Sequence, residues 1–373
     1  MTEIREVTRR FVLQAGFSCP WRCRFCYYRE SLKKGNVKDF TTDEVKEKLR
    51  EGRRLGKDQV DISGGEPTIR KDLFEIIGYA RKIGYKKVAI ITNCFRTHDM
   101  NYVNKLIDSG LNDVLLSLHS PIEKEHDWLT QVPGSWKKVM KSLENFSKTK
   151  IEYRVNSTVS DVNADKIDLF FKLIKPYKPH AYNLLILNPT QETDTENGEI
   201  KIADYNKIGD SIGKAITRHK KEFKTINVRW IPFCMLKGNE EHVRTRWQKL
   251  YEDQEWDPYL NIKYNKGTAA AIASGIAGFF LYFFYAPRHG RRGIYTIFNE
   301  AITTFRVMLY HRKLKACKKC SLRKICDALP ASYVKNMNRT KLHPYNLGKA
   351  IEDPLHFCKS YKENFRSLRI SKG

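Results

Sequence analysis

The 373-residue chain predicts an α/β fold: a barrel of alternating strands and helices, followed by a small cysteine-rich domain that carries an apolar helical insert. Three observations lead there. Over residues 1–230, short apolar runs bounded by turns alternate with segments of 3.6-residue periodicity. Beyond that point, in 231–373, lie five of the nine cysteines. Between the first of these and the next runs a stretch without a single charge, 268–286.

The apolar runs place strands at 11–15, 59–62, 88–92, 114–118, 153–159, 182–187 and 227–231. Between the first two, Val45, Leu49 and Leu55 recur near the helical period, and Thr42 with Asp43 and Glu44 suits the start of a helix over 42–55. Further helical patterns cover 73–83, 100–109, 135–146 and 164–173. Alternation of this kind implies a parallel sheet with right-handed crossovers. Parallel barrels hold ligands at the carboxyl ends of their strands. The polar residues at or near those ends are therefore candidates: Thr92, Asn93, Ser117, His119, Ser120, Arg154, Asn156, Ser157, Asn183 and Asn188.

The net charge is +26, from 68 Lys+Arg against 42 Asp+Glu. A field of that sign attracts nucleic acid, anionic membrane surface or phosphorylated substrates, and charge alone does not choose among them. Solubility is the plain alternative. Nine cysteines without a secretory signal point to a reducing cytoplasm, and so to metal ligation over disulfides.

Cys19, Cys23 and Cys26 lie in Ser-Cys-Pro-Trp-Arg-Cys-Arg-Phe-Cys-Tyr-Tyr, ending at Tyr28. Three thiolates on one short loop can hold three corners of an iron–sulfur cube and leave the fourth iron open, where closed sites supply four ligands. A zinc knuckle short of one ligand, or three unrelated thiols, is the plain alternative. The second motif, Asp-Ile-Ser-Gly-Gly-Glu-Pro-Thr at 61–68, follows a strand. Its glycines let the backbone approach a ligand and take positive φ, and Pro67 fixes the exit of the turn. Together the two motifs resemble the radical S-adenosylmethionine (radical SAM) superfamily, over residues 11 to about 230.

The resemblance implies a partial (β/α)₆ TIM-type barrel. In it Cys19, Cys23 and Cys26 would bind a [4Fe-4S] cluster whose open iron takes the amino and carboxylate groups of SAM. Phe25 would pack near the adenine, the backbone at Tyr28 would bond its exocyclic amine, and Gly64, Gly65 and Glu66 would meet the methionine amino group. Ser117 and Asn156 are the strand-end residues expected on SAM. One electron, from an external donor such as ferredoxin or flavodoxin, would cleave SAM to a 5′-deoxyadenosyl radical that takes hydrogen from the substrate. Two residues are catalytic candidates, His119 for proton transfer and Cys94 as a hydrogen-atom donor. A satisfied structural histidine and a small buried thiol are their plain readings.

Cys317, Cys320 and Cys326 show a C-x₂-C-x₅-C spacing that resembles the SPASM or Twitch auxiliary-cluster domains following many radical SAM cores. With Cys234 the count reaches four, enough to close a second [4Fe-4S] cluster, with a four-cysteine zinc site as the rival. Pro330 stands where the full SPASM pattern has another cysteine, and Cys358 is left as an alternative ligand or a free thiol.

The insert 268–286 approaches the ~20 residues that cross a bilayer. It is flanked by Lys263 and Lys266 on one side and Arg288, Arg291 and Arg292 on the other. If Cys234 and the later three cysteines share one cluster, both flanks lie on one side. No second span returns the chain, because 294–310 contains Asn299, Glu300 and Arg306. An interfacial or re-entrant helix on an anionic membrane surface satisfies both conditions. A buried helix, the wall of a lipophilic pocket and a true span are the alternatives. The expected substrate is a small or lipid-linked molecule, and the expected location is cytoplasmic, peripheral on the inner face of the membrane. A peptide substrate would need a separate recognition partner, since Cys19 leaves no room before it for a recognition domain. Nucleic-acid modification suits the charge, but no RNA-binding module is recognisable and the basic residues are spread along the chain. A non-enzymatic sensor is set against the intact cysteine and Gly-Gly-Glu-Pro motifs.

Overall fold

A computed structural model describes residues 4–28, 39–187, 200–252, 255–288, 290–336 and 340–358. The chain divides into two compact units, Arg9–Arg229 and Met1–Thr8 with Trp230–Gly373. The first eight residues, which the sequence reading places with the barrel, thus belong to the second unit.

In the first unit seven strands pair in parallel, in chain order: β1 (Arg10–Gly16), β2 (Gln59–Gly64), β3 (Lys87–Thr92), β4 (Asp113–Ser117), β5 (Glu152–Val159), β6 (Ala181–Ile186) and β7 (Thr225–Arg229). The helices between them are α1 (Thr42–Arg54), α2 (Leu73–Lys82), α3 (Met100–Asp108), α4 (Glu123–Thr130), α5 (Ser135–Ser147), α6 (Ile167–Ile174) and α7 (Tyr205–His219). This makes six βα units and a seventh strand. The apolar face of each strand, such as Phe11, Val60, Val88, Val114 and Val155, is fully buried. The other face is polar and curls inward. Arg10 of β1 donates to Asp61 (2.6 Å) and to Asp113 of β4 (3.1 Å), and Arg154 of β5 reaches Asp113 at 2.9 Å. On a flat sheet β1 and β4 would stand roughly 14 Å apart, three strand spacings, so these contacts require a barrel-like curl.

The structure departs from the sequence reading in local ways. Helix α1 starts at Thr42 as expected, but its cap is Thr41, in a reciprocal capping box with Glu44. Helix α6 begins at Ile167 because Asn163 Oδ1 accepts from Ser160 N and holds a turn over 160–163. Strand β7 ends at Arg229, where Trp230 takes φ +62. Two helices of the first unit were not anticipated. Helix α4 buries only His126, Leu129 and Thr130, too few apolar positions to show a period. Helix α7 does carry the period, through Ile208, Ile212 and Ile216.

The second unit holds α8 (Arg246–Lys249), α9 (Pro258–Lys266), α10 (Thr268–Tyr285), α11 (Ile294–Tyr310) and α12 (Ala331–Asn336), with β8 (His311–Arg312) antiparallel to β9 (Leu329–Pro330). Helix α11 is a core element. Its buried Glu300 accepts from the Tyr282 hydroxyl at 2.7 Å and also from Tyr251, and Asn299 Oδ1 accepts from Tyr259 N at 2.9 Å. Helix α10 lies against it through small residues. A Cβ on Gly278 would stand 1.9 Å from the Ala301 carbonyl oxygen, and one on Gly275 would stand 2.1 Å from the Phe298 ring. The bulky side of α10 faces out, with Phe280 70% and Phe284 73% exposed. Only 17% of this helix is buried, so the alternative of an internal helix does not hold.

Candidate active site and cysteine centres

The loop bearing Cys19, Cys23 and Cys26 leaves β1 and is held from both sides. On one side Asp39 accepts from Phe17 N (2.6 Å) and Ser18 N (2.9 Å). Burial opposes ionisation there, but these amides hold the Asp39 carboxyl below its usual range. Beside it Arg70 donates to the Ala15 and Phe40 carbonyls while paired with Asp72. On the other side Arg22 N and Arg24 N donate to the Thr130 and Leu129 carbonyls of α4, and Arg24 stacks over Trp128 at 4.2 Å. Sequence reasoning missed Asp39, Arg70 and the α4 anchor. Only the fold brings them to the loop.

The Gly-Gly-Glu-Pro turn packs directly on this loop. Gly65 N donates to the Gly16 carbonyl (3.0 Å) and Glu66 N to that of Ser18 (2.9 Å). A Cβ on Gly64, which has φ +134, would lie 1.9 Å from the Gly16 oxygen. One on Gly65 would lie 2.1 Å from the Ser18 oxygen and 2.4 Å from that of Phe17. The close approach these glycines permit is therefore to the chain itself. The buried Glu66 carboxylate gathers four donors: Thr68 N, Thr68 Oγ1 and Thr92 Oγ1 on Oε1, and Asn93 N on Oε2. Burial nonetheless raises its pKa. Asn93 then extends Nδ2 to Cys19 Sγ at 3.5 Å, linking the two motifs.

The three thiols interact. Burial pushes Cys19 up to about 12, with Glu66 and Cys26 adding to the rise; burial, then Cys26 and Cys19, raises Cys23 well above its ordinary value. A bound cation reverses this balance, since coordination deprotonates thiols outright. Among the described residues no three His, Cys, Asp or Glu side chains gather tightly enough to hold a single metal ion. Three thiols on one loop suit a cluster that takes one thiolate per iron.

Above the barrel floor, Ser117, Asn156, Asn183 and Asn227 stand in register on four adjacent strands and so share one face. Asn227 Nδ2 donates to Asn183 Oδ1, whereas Asn156 Oδ1 and Gln14 Oε1 are buried without a partner among the described residues. Two strand candidates fall elsewhere. Arg154 is committed to the Asp61–Asp113 floor, and Ser157 faces away, donating to the Leu118 carbonyl and accepting from Tyr182. The period-2 alternation separates Ser157 from Asn156. His119 is buried, its ring 4.5 Å from that of Phe25, with Nδ1 accepting from Thr158 N. Burial and then His126 push its pKa far down, so the ring is neutral. Phe25 also packs on Leu129, Leu187 and Ile200. Cys94 is fully buried at φ +72 with Thr97 and Ser142 beside its thiol, and burial pushes it up to about 12. Tyr28 is buried edge-on to Phe17. Asn188 lies outside the described residues.

In the second unit Cys234, Cys317, Cys320 and Cys326 line one cavity, with Lys313 and Arg323. Backbone amides point at the sulfurs: Tyr345 N at Cys320 Sγ and Ala328 N at Cys326 Sγ, each 3.4 Å. Burial pushes Cys326 up to about 12 and Cys234 to about 11. Cys358 lies elsewhere, buried with Trp247 and Leu355 and bonded to Glu252 and Gln248.

Residues 14–174 match the radical SAM superfamily. An AdoMet-dependent heme synthase of Methanosarcina barkeri is 32% identical over 170 residues, 46% of this chain and 48% of that protein. A probable GTP 3′,8-cyclase of Sulfolobus acidocaldarius is 30% identical over 173 residues, 46% and 54% of the two chains. The solved structure of Streptococcus suis SuiB aligns at 18% identity and a TM-score of 0.49, over 59% of this chain and 49% of that one, a likeness too loose to argue from. The chain spans about half the length of the curated relatives it matches. The family match falls inside the barrel unit, over the cysteine loop, the Gly-Gly-Glu-Pro turn and five of the seven strands. Residues 14–174 thus resemble a radical SAM domain, the superfamily whose enzymes work with a [4Fe-4S] cluster and S-adenosylmethionine.

Proposed function

We propose that the protein holds a [4Fe-4S] cluster on Cys19, Cys23 and Cys26, reductively cleaves SAM there, and abstracts hydrogen from a substrate at the strand ends. The observation that carries this reading is the fusion of the two motifs into one site, through Gly65, Glu66 and the Asn93 bridge to Cys19. The bound cluster supplies the electron that turns SAM into methionine and a 5′-deoxyadenosyl radical. The chain binds and orients. Glu66 Oε2 accepts one bond, from Asn93 N, and keeps capacity for the methionine ammonium. Asn156 Oδ1 and the Ser117 hydroxyl offer polar contacts to SAM, and Phe25, backed by His119, forms an apolar wall for the adenine. Cys234, Cys317, Cys320 and Cys326, which line one cavity, would hold an auxiliary [4Fe-4S] cluster of the SPASM/Twitch type, which would supply a second electron-transfer site. Reductant comes from a ferredoxin- or flavodoxin-like donor. Anaerobically reconstituted protein given SAM and dithionite should release 5′-deoxyadenosine, and Cys23→Ala should abolish the release with the fold intact. Undiminished release from Cys23→Ala refutes the assignment.

The substrate we propose is lipid-linked, met at an anionic membrane surface through the outer face of α10. The exposed Ile276, Phe280, Phe283 and Phe284 supply the apolar contact. The surrounding charge is positive: Arg288 and Arg291 follow the helix, and Lys324 donates to the Phe284 carbonyl at its end. A helix of this kind lies in the interface and does not cross it. Cosedimentation should show binding to phosphatidylglycerol vesicles that Phe280→Ser with Phe284→Ser removes, while release of 5′-deoxyadenosine persists. Equal recovery of the native protein with and without vesicles refutes the contact.

A further inference from the structure

Cationic side chains crowd together in the second unit without matching anions. Arg306 and Tyr310 stand four residues apart on α11 and so share a face. The Arg246 guanidinium, at the start of α8, stands 5.9 Å from the Tyr310 ring centre, which places both guanidiniums on that face. His311 follows Tyr310 directly, on β8, and is 4% exposed. None of the three is satisfied. Both ring nitrogens of His311 and Nε of Arg246 have no hydrogen-bond partner among the described residues, and Arg306 makes neither a hydrogen bond nor an ion pair with any of them. The charges act on one another. Burial and then Arg246 push Arg306 down to about 9, and burial followed by Arg246 and Arg306 pushes His311 far down.

Among the described residues the one carboxylate beside them is Asp327; its Oδ2 is taken by the Arg246 backbone amide at 2.8 Å, and its Oδ1 is buried without a partner among them. Lys313, which also lines the cysteine cavity, and Arg312 add further positive charge around His311. Lys249 is paired with Glu255. Two guanidiniums therefore share at most one counter-charge, with a neutral imidazole beside them. Partly buried cations in such excess are costly unless an anion joins them. Guanidinium forks match the oxygens of phosphate and carboxylate bidentately, and phosphate brings two charges.

We infer that Arg246, Arg306 and His311 form a binding site for a phosphate or diphosphate group. The site does not rest on the proposed SAM chemistry. The same phosphate chemistry arrives on a soluble ester or on a lipid, and the test separates the two. Thermal unfolding of the reconstituted protein is followed with inorganic phosphate and pyrophosphate, and vesicle binding is compared between phosphatidylcholine alone and phosphatidylcholine with phosphatidic acid. Pyrophosphate should raise the melting temperature, and Arg246→Gln or Arg306→Gln should each weaken its binding about tenfold, with Lys349→Gln unchanged as the surface-charge control. A lipid source is indicated if phosphatidic acid vesicles bind in an Arg306-dependent way. Arg306→Met should leave the ligand-free protein as stable as before or more so, since it removes a repelled charge, where a structural arginine would be missed. The inference is overturned if none of the three probes binds, if Arg246→Gln and Arg306→Gln bind as the native protein does, or if Lys349→Gln weakens binding equally. Because 5′-deoxyadenosine release is measured separately, its failure and the failure of this site are distinguishable.

Discussion

Gly65→Ala discriminates between two reasons for a glycine. If Gly65 serves to admit a ligand, the unliganded protein should not notice a methyl group. The geometry gives a different expectation. The new Cβ would stand 2.1 Å from the Ser18 carbonyl oxygen and 2.4 Å from that of Phe17, both backbone atoms that cannot rotate away. Relief requires the turn and the cysteine loop to separate, at the expense of Gly65 N–Gly16 O and Glu66 N–Ser18 O. Two hydrogen bonds contribute about 1 kcal/mol each, and forced overpacking costs roughly 1–3 kcal/mol more. The variant should therefore lose about 3–5 kcal/mol before any cofactor is added. For a unit of this size that corresponds to a fall of roughly 6–20 °C in melting temperature. Separation also moves Ser18 and its neighbour Cys19 away from Asn93, so iron uptake at the first site should fall as well. The assay is calorimetry or circular dichroism on metal-free protein, followed by iron analysis after reconstitution. A variant that melts with the native protein and loads its full iron refutes this reasoning.

The remaining expectations concern the cysteines and one histidine. Cys326→Ala should reduce reconstituted iron from about eight to about four per chain, the content of one four-iron cluster, while Cys358→Ala leaves it unchanged; one zinc in place of the lost iron would rule out the auxiliary cluster. His126 is held at about 4 by burial, from an ordinary 6.5, so its neutral form belongs to the folded state. The stability it contributes is present above about pH 6.5 and is lost as pH falls towards 4, about 3 kcal/mol in all. Denaturant unfolding at several pH values should show His126→Gln with a shallower acid loss than the native protein, and equal slopes would refute it.

The barrel was legible because its strands carry continuous apolar runs and its helices a 3.6-residue period. One boundary slipped where a single side chain decided it, as with Asn163 before α6. Helix α4 was invisible because it is held by hydrogen bonds and by His126 more than by an apolar stripe. Among the strand candidates, residue type alone could not separate Asn156 from Arg154 and Ser157. The first belongs to the polar layer, the second to the barrel floor and the third to the opposite face.

By itself the sequence determined the parallel α/β architecture, the cysteine loop and the Gly-Gly-Glu-Pro turn, because each depends on residue types at short spacing. It also held the apolar length of α10, but not its direction. Tertiary structure decided everything that depends on contacts across the chain. It placed the two glycines against the cysteine loop, gathered Cys234 with three cysteines more than eighty positions later, and left Cys358 out. It turned the large side chains of α10 outward, since only its glycines and alanines allow close packing on α11. And it brought Arg246 to Arg306 and His311, a concentration of charge that no local pattern records.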